Sequence, residues 1–320
     1  MSAGWRRATA RVAGLVGGLV LLVLAGMARA DCPPQIPQPT PEQAQRWAAQ
    51  ATDRGVLWRI TRDGRSSYLY GSLHVGKAEW AYPGPALRAA WAETEVLAVE
   101  LDPADVGPAL AGADEPEPLS PRPKARLEAQ ARAACLPPDA LASLPAMLQI
   151  TTLMLLEARR DGFDAGFGQD LMLIQWARRE QRPVQSLESV QEQLDALAPA
   201  PGEADALLEG GLRELRQGRV RGPLRRLAAT WARGDLAGLA NYPSWCACAD
   251  TPAERAWLQR VNDGRNLHLA ERIDALHRAG QRLLVAVGAL HMSGPEALPR
   301  LLAARGFEVQ PLLPSAASSR

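Results

Sequence analysis

The chain has 320 residues, 47% of them hydrophobic, and a formal net charge of +1. A chain of this length can bury one large core or two smaller ones. Four arginines and no acidic residue lie in the first thirty positions, so the remainder carries a net charge of about −3. That balance argues against a protein that binds nucleic acid through a basic surface.

Residues 1–30 have the pattern of a signal peptide. Three arginines precede an apolar run at residues 12–28, and Ala28-Arg29-Ala30 supplies a small-x-small cleavage site. We expect cleavage near Ala30 and export to the periplasm or to the medium. The alternative is an uncleaved N-terminal membrane anchor, because about seventeen apolar residues reach the lower limit of a membrane span. Only that alternative gives the protein contact with a membrane.

A hairpin is the first β-structure predicted after the leader. Residues 31–54 are a proline-rich lead-in with a short helix at 43–51. Strands at 56–61 and 67–70 flank Asp63-Gly64-Arg65, a sequence typical of a hairpin turn.

A helix at 85–93 and an apolar strand at 95–101 follow. Residues 103–123 are rich in Pro, Gly and acidic residues and are predicted to form a flexible loop. Residues 124–280 are predicted to be a mainly helical insertion, with a short strand at 183–187. Its apolar residues recur at helical spacing in the segments 124–135, 138–160, 169–181, 189–198, 203–217, 222–233 and 252–279.

The C-terminal part returns to alternating strands and helices. A strand is predicted at 282–287, a helix at 295–305 and a second strand at 307–312, followed by a disordered tail at 314–320. Residues 55–313 are therefore expected to form a single α/β domain.

One short motif occurs twice, as Gly71-Ser72-Leu73-His74 and Gly288-Ala289-Leu290-His291. Each copy follows a predicted strand and precedes a helix and a second strand. The predicted fold is a mixed central sheet built from two related β-loop-α-β halves, with the helical insertion between them. Both copies at the centre of one sheet would bring His74 and His291 together at strand carboxyl ends, where open α/β sheets bind ligands.

Two glutamates could reach the same site. Glu100 lies near the carboxyl end of an apolar strand, where a carboxylate is unfavourable unless it meets a cation, a metal or hydrogen-bond donors. Glu188 follows the short strand and either faces the cleft or begins a helix. Two histidines and a carboxylate are a common ligand set for a divalent metal. We therefore predict that His74, His291 and Glu100 bind Mn²⁺, Co²⁺ or Zn²⁺.

Other polar residues have less specific settings. Arg265 and Asn266 form a polar pair that either binds substrate and orients Glu100 or is merely solvated. Surface positions explain His268 and His277 adequately, and Asp170 is expected to begin a helix.

The four cysteines are Cys32, Cys135, Cys246 and Cys248. Disulfides are favoured over a zinc site, because Cys246-Ala247-Cys248 has the wrong spacing for a zinc knuckle. Three pairings exist in principle, and the bond between Cys246 and Cys248 is the least expected on geometric grounds. The other two pairings stay open.

Six segments in chain order carry a resemblance to a known family. They are Leu57-Trp58-Arg59-Ile60, residues 68–76, Val99-Glu100-Leu101-Asp102, residues 187–194, Arg265-Asn266 and residues 287–291. Together they resemble the TraB/GumN family over about residues 55–313, and the wider group of that family includes Tiki-type membrane-tethered metalloproteases. The resemblance implies a metal-dependent hydrolytic site in which Glu100 is the essential acid, His74 and His291 are the motif histidines, and Arg265 and Asn266 support them.

The leading prediction is thus an exported metal-dependent hydrolase, and specifically a peptidase acting on a peptide or protein. Glu188 or Glu100 would move the proton, and Arg265 and Asn266 would bind the substrate. Two alternatives stay open: a non-catalytic envelope protein that binds a metal, haem or a peptide, and an accessory protein for secretion or polysaccharide export.

Overall fold

The computed structural model describes residues 32–111 and 119–313. The predicted signal peptide and C-terminal tail lie outside these residues. From Pro33 onward the chain groups into one compact unit. Among the residues described, no helix combines the length and the apolar character that crossing a membrane requires.

Helices and strands alternate at both ends of the described chain, and helices predominate between them. In chain order the elements are α1 (Pro41–Ala49), β1 (Val56–Arg62), β2 (Arg65–Ser72), α2 (Pro85–Ala92), β3 (Val96–Val99), α3 (Pro103–Ala111), α4 (Pro121–Ala133), α5 (Ala146–Ala158), α6 (Gln169–Arg179), β4 (Val184–Ser186), α7 (Val190–Leu197), α8 (Ala204–Arg216), α9 (Arg221–Ala232), α10 (Leu236–Ala240), α11 (Pro252–Val261), α12 (Asp263–Arg278), β5 (Leu283–Gly288), α13 (Leu298–Ala304) and β6 (Glu308–Leu313).

The strands form one mixed sheet in the order β4-β3-β5-β2-β1-β6. The four strands from β4 to β2 run parallel, and β1 pairs antiparallel with both β2 and β6. The predicted α/β architecture is confirmed: β2 and β5, which lead into the two Gly-x-Leu-His copies, are neighbours near the middle of the sheet. Their register places Ser72 opposite Gly288.

Helices cover both faces of the sheet, which explains why β5 is buried along nearly its whole length. On one face, Tyr68, Leu97 and Leu284 contribute to a core shared with residues of α2, α6 and α9. On the other face, Leu69 and Val285 share a core with residues of α12 and α13. A third apolar cluster joins α4, α5 and α8 to one another.

The prediction of a flexible loop at 103–123 is wrong at both ends, because residues 103–111 form helix α3 and residues 121–123 begin helix α4. Pro103 stands at the first helical position, where its missing N–H is not needed. The Asp102 carboxylate accepts the Ala104 backbone N–H at 3.0 Å and so caps the helix. Residues 112–118 of the predicted loop lie outside the described chain.

The single helix predicted at 252–279 is also wrong, because the chain breaks into α11 and α12 at Asn262. Asn262 departs from helical geometry, with φ −106° and ψ −82°. Its side-chain amide donates to Asp263 Oδ1 at 2.9 Å and to the Leu290 carbonyl at 3.3 Å. Side chains of Asn and Asp that bond nearby groups in this way compete with helix continuation.

The ranking of the cysteine pairings is wrong, since Cys246 and Cys248, the least expected pair, form a disulfide. Ala247 adopts a left-handed conformation with φ 55° and turns the chain back on itself. The two Cα atoms are consequently 5.1 Å apart, within the range that a disulfide spans. None of the described cysteines is a free thiol.

Candidate active site at the carboxyl ends of the parallel strands

The four parallel strands end at one edge of the sheet, and each is followed by a predicted site residue. Glu188 follows β4, Glu100 follows β3, His291 follows β5 and His74 follows β2. The backbone pairing continues past the strands, since the Glu188 N–H donates to the Glu100 carbonyl at 3.0 Å. The sheet thus brings together the two histidines and the two carboxylates that the sequence singled out.

Glu100 is buried at the centre of this edge, and both of its carboxylate oxygens are hydrogen-bonded. Oε1 accepts the Gly288 backbone N–H at 2.6 Å, and Oε2 accepts from Arg265 Nη2 at 2.6 Å. Burial acts to raise the pKa of Glu100, but attraction to His291 when that ring is protonated, to Arg265 and to His74, together with the Gly288 N–H, outweighs it. The pKa is held well below its usual range, so Glu100 is an anion at neutral pH.

Arg265 bridges the two buried glutamates. Its Nε donates to Glu188 Oε1 at 2.9 Å, its Nη2 contacts both Glu188 Oε2 and Glu100 Oε2, and its Nη1 donates to the Val261 carbonyl. Burial acts to lower the pKa of Arg265, but the two carboxylates raise it above its ordinary value. The break at Asn262 places Arg265 in the first turn of α12, directed at the sheet edge.

His291 is a buried, neutral imidazole. Its Nδ1 lies 2.6 Å from Asn266 Oδ1, and the Asn266 amide donates to the Glu296 carbonyl at 2.8 Å. Because the amide oxygen can only accept, Nδ1 carries the proton and Nε2 keeps its lone pair. Burial lowers the pKa of His291 to about 4, against the attraction of Glu100. Its Nε2 lies 3.9 Å from Glu100 Oε1.

His74 also bonds an oxygen through Nδ1. Its setting differs from that of His291, because 61% of its side chain is exposed. Its Nδ1 lies 2.9 Å from Asp170 Oδ2. Attraction to Asp170 is the main reason that the pKa of His74 rises to about 9, and this outweighs desolvation. Asp170 does lie in the first turn of α6, as predicted, but its contact with His74 had no signal in the sequence.

Two glycines allow the backbones of this region to approach closely. A Cβ atom at Gly168 would lie 2.7 Å from the His74 carbonyl oxygen, which is too close for any other residue. A Cβ at Gly288 would lie 3.2 Å from Glu100 Oε1, 3.5 Å from His291 Cδ2 and 3.9 Å from His74 Nε2. These three side chains therefore surround one small space above Gly288.

The donor atoms around this space fit a divalent cation in type. His291 Nε2 and Glu100 Oε1 are 3.9 Å apart, and two ligands of one tetrahedral zinc ion stand about 3.4 Å apart. Both imidazoles bond an oxygen through Nδ1, as metal-bound histidines usually do. Within residues 32–111 and 119–313, however, no three His, Cys, Asp or Glu side chains are grouped closely enough to hold a metal ion. Completing a three-ligand set thus requires side-chain movement.

The remaining two histidines lie outside this centre. His268 is partly exposed, 3.3 Å from Glu192 Oε1. The expectation that His277 is a surface residue is wrong, since it is fully buried at the opposite end of the sheet. Its Nδ1 lies 3.1 Å from Ser67 Oγ and its Nε2 lies 3.2 Å from the Arg62 carbonyl. Such a satisfied core histidine has a structural role.

Comparison with known proteins gives one family and two relatives. The TraB/PrgY/gumN family model matches residues 56–311. Two curated proteins, both described as uncharacterized protein YbaP, come from Shigella flexneri and from Escherichia coli strain K12. Each is 26% identical over 247 residues, which cover 74% of this chain and 88% of the relative. No solved structure matches significantly.

Proposed function

Because the chain belongs to the TraB/PrgY/gumN family, we propose that it is an exported metal-dependent hydrolase that cleaves peptide bonds. The observation that carries the proposal is the paired arrangement of the imidazoles at the sheet edge. His74 and His291 each bond an oxygen through Nδ1 and lie with Glu100 around Gly288. His74, His291 and Glu100 would hold the cation, which when bound would polarise a carbonyl and supply an activated water.

The surrounding residues have distinct tasks in this proposal. The low pKa of Glu100 suits a permanently charged ligand and makes it a poor general base. Arg265 and Glu188 hold Glu100 in place through the buried ion pairs. This differs from the sequence-based prediction that Glu188 or Glu100 moves the proton and Arg265 binds substrate.

Asn266 and Asp170 fix the tautomers of the two imidazoles, so that Nε2 is the atom free to bind. For His74 this requires loss of a proton, because its pKa lies at about 9 and only the neutral ring binds a metal. Export, the other part of the proposal, rests on residues 1–30 alone.

The test is cleavage of a peptide mixture by chelator-treated protein reloaded with Mn²⁺, Co²⁺ or Zn²⁺ in turn, followed by mass spectrometry. We expect metal-dependent cleavage that is lost in a His74→Ala, His291→Ala double variant and kept in His268→Ala, the matched control on α12. Cleavage that survives in the double variant would overturn the proposal. Metal binding without cleavage would instead support the non-catalytic envelope protein.

A further inference from the structure

A cavity of about 310 Å³ lies against the loop that follows β5. This is near the lower limit for cavities that bind ligands and is large enough for one side chain. Its walls are mainly apolar and come from α10, α11 and the segments after α10 and β5. The apolar residues that the argument uses are Leu239, Ala240, Tyr242, Leu258, Leu290 and Pro295.

The cavity and the candidate active site are neighbours along the chain on both sides of the cavity. Leu290 lines the cavity and directly precedes His291. The Asn262 side-chain amide donates to the Leu290 carbonyl at 3.3 Å, and the Arg265 backbone N–H donates to the Asn262 backbone carbonyl at 3.2 Å. Asn262 therefore connects the cavity wall at Leu290 to the first turn of α12, which carries Arg265.

Two charged side chains that line the cavity, Arg255 and Asp263, are held by bonds within the protein. Arg255 Nη1 donates to the Ala249 and Asp250 carbonyls at 2.9 Å each. Asp263 Oδ1 accepts from the Asn262 amide at 2.9 Å. The exposed lining is mainly apolar, which favours an uncharged hydrophobic group.

The wall formed by residues 242–249 is held in place before any ligand binds. Tyr242 packs edge-to-face against Trp245, with ring centroids 4.9 Å apart. The disulfide between Cys246 and Cys248 closes the next turn, and Ala249 after it lines the cavity. A preorganised wall lowers the entropy lost on binding.

We propose that this cavity is the side-chain pocket for a large apolar residue, such as leucine or phenylalanine, next to the scissile bond of the peptide substrate. The proposal rests on the hydrolase function proposed above. Selection arises because a larger apolar side chain buries more surface, and each missing methylene lowers kcat/KM for the substrate by about tenfold or more.

The test fills the cavity from its exposed edge. Ala240 lines the cavity and is exposed, whereas Ala237 is exposed on the same helix and does not line it. Ala240→Phe is compared with Ala237→Phe in two assays. The first identifies the residues on either side of each cleaved bond in a peptide mixture, and the second uses ligand-observed NMR to measure binding of N-acetyl-phenylalaninamide. We expect Ala240→Phe to shift cleavage towards small residues and to weaken probe binding about tenfold, with no change for Ala237→Phe.

The outcomes separate the two proposals. Cleavage with an unchanged profile in Ala240→Phe overturns the pocket and leaves the hydrolase standing. Absence of any cleavage, with probe binding that only Ala240→Phe weakens, overturns the peptidase and supports the cavity as an apolar binding site. If native protein neither cuts peptides nor binds the probe, both proposals fail.

Discussion

The two Gly-x-Leu-His copies occupy equivalent positions on neighbouring strands, but their imidazoles lie in opposite electrostatic settings. His74 is 61% exposed and bonds the Asp170 carboxylate, and its pKa rises to about 9. His291 is 5% exposed and bonds the Asn266 amide, and its pKa falls to about 4. The repeat fixes where the rings lie, whereas a partner from another helix and the degree of burial set the charge of each ring.

The stability of the protein should depend much more on the buried ion pairs of the site than on an ion pair at the surface. Arg265→Met leaves Glu100 and Glu188 without their cation, and an unpaired buried charge costs about 3–5 kcal/mol. We expect the free energy of unfolding, measured in urea, to fall by that amount. Arg178→Ala is the control, because Arg178 is 50% exposed in its pair with Asp102. Loss of this side chain should lower the free energy of unfolding by less than about 1 kcal/mol. Equal losses in the two variants would contradict the difference expected between buried and exposed ion pairs.

Asn266→Asp should make the second copy resemble the first. A carboxylate at Nδ1 favours the protonated ring, so the pKa of His291 should rise from about 4 by about 1–3. The change is read from the histidine signals in a ¹H–¹⁵N NMR titration, with the His277 signal as an internal reference. A pKa that stays at about 4 would show that burial alone governs His291.

Asp170→Asn should remove the feature that distinguishes the first copy. Without the carboxylate, the pKa of His74 should fall from about 9 towards 6.5 in the same NMR titration. Loss of a partner of this kind typically weakens metal affinity by about 10–100-fold, whereas the lower pKa strengthens it at neutral pH because less proton is displaced. Calorimetry with Zn²⁺ at several pH values separates the two effects. An affinity with the same pH dependence in Asp170→Asn as in the native protein, together with a lowered pKa, would remove His74 from the proposed ligand set.

The two histidines should affect stability on opposite sides of pH 6.5. Between about pH 6.5 and 4 the unfolded chain protonates His291 and the folded chain does not, so stability falls as pH falls. The slope is at most about 1.4 kcal/mol per pH unit, and His291→Gln should remove it. For His74 the stabilising proton is lost as pH rises from 6.5 towards 9, with a smaller effect because the ring is largely exposed. Parallel stability curves for the native protein and His291→Gln would refute this assignment.

The sequence predicted the framework of the site because its signals are local. A repeated motif after two strands, and an isolated carboxylate at the end of a third, predicted that His74, His291 and Glu100 meet at one sheet edge. The apolar run of β3 also predicted that Glu100 would need a cation, a metal or hydrogen-bond donors, and Arg265 and the Gly288 N–H bond its carboxylate.

Features that depend on distant contacts or on a single backbone conformation were not predictable in the same way. Asp170 reads as an ordinary helix-start residue, and only the folding of α6 against the His74 loop reveals its contact. The helix break at Asn262 is hidden by apolar residues that keep helical spacing on both sides. The bond between Cys246 and Cys248 depends on the left-handed conformation of Ala247, for which alanine gives no signal.

Elemental analysis of protein purified without chelator tests the central claim, that one metal centre unites both halves of the repeat. The account predicts about one divalent ion per chain in the native protein and in His268→Ala, and a large loss in His74→Ala, His291→Ala and Glu100→Gln alike. A metal content that is unchanged in His74→Ala and His291→Ala would contradict the claim of one shared metal centre.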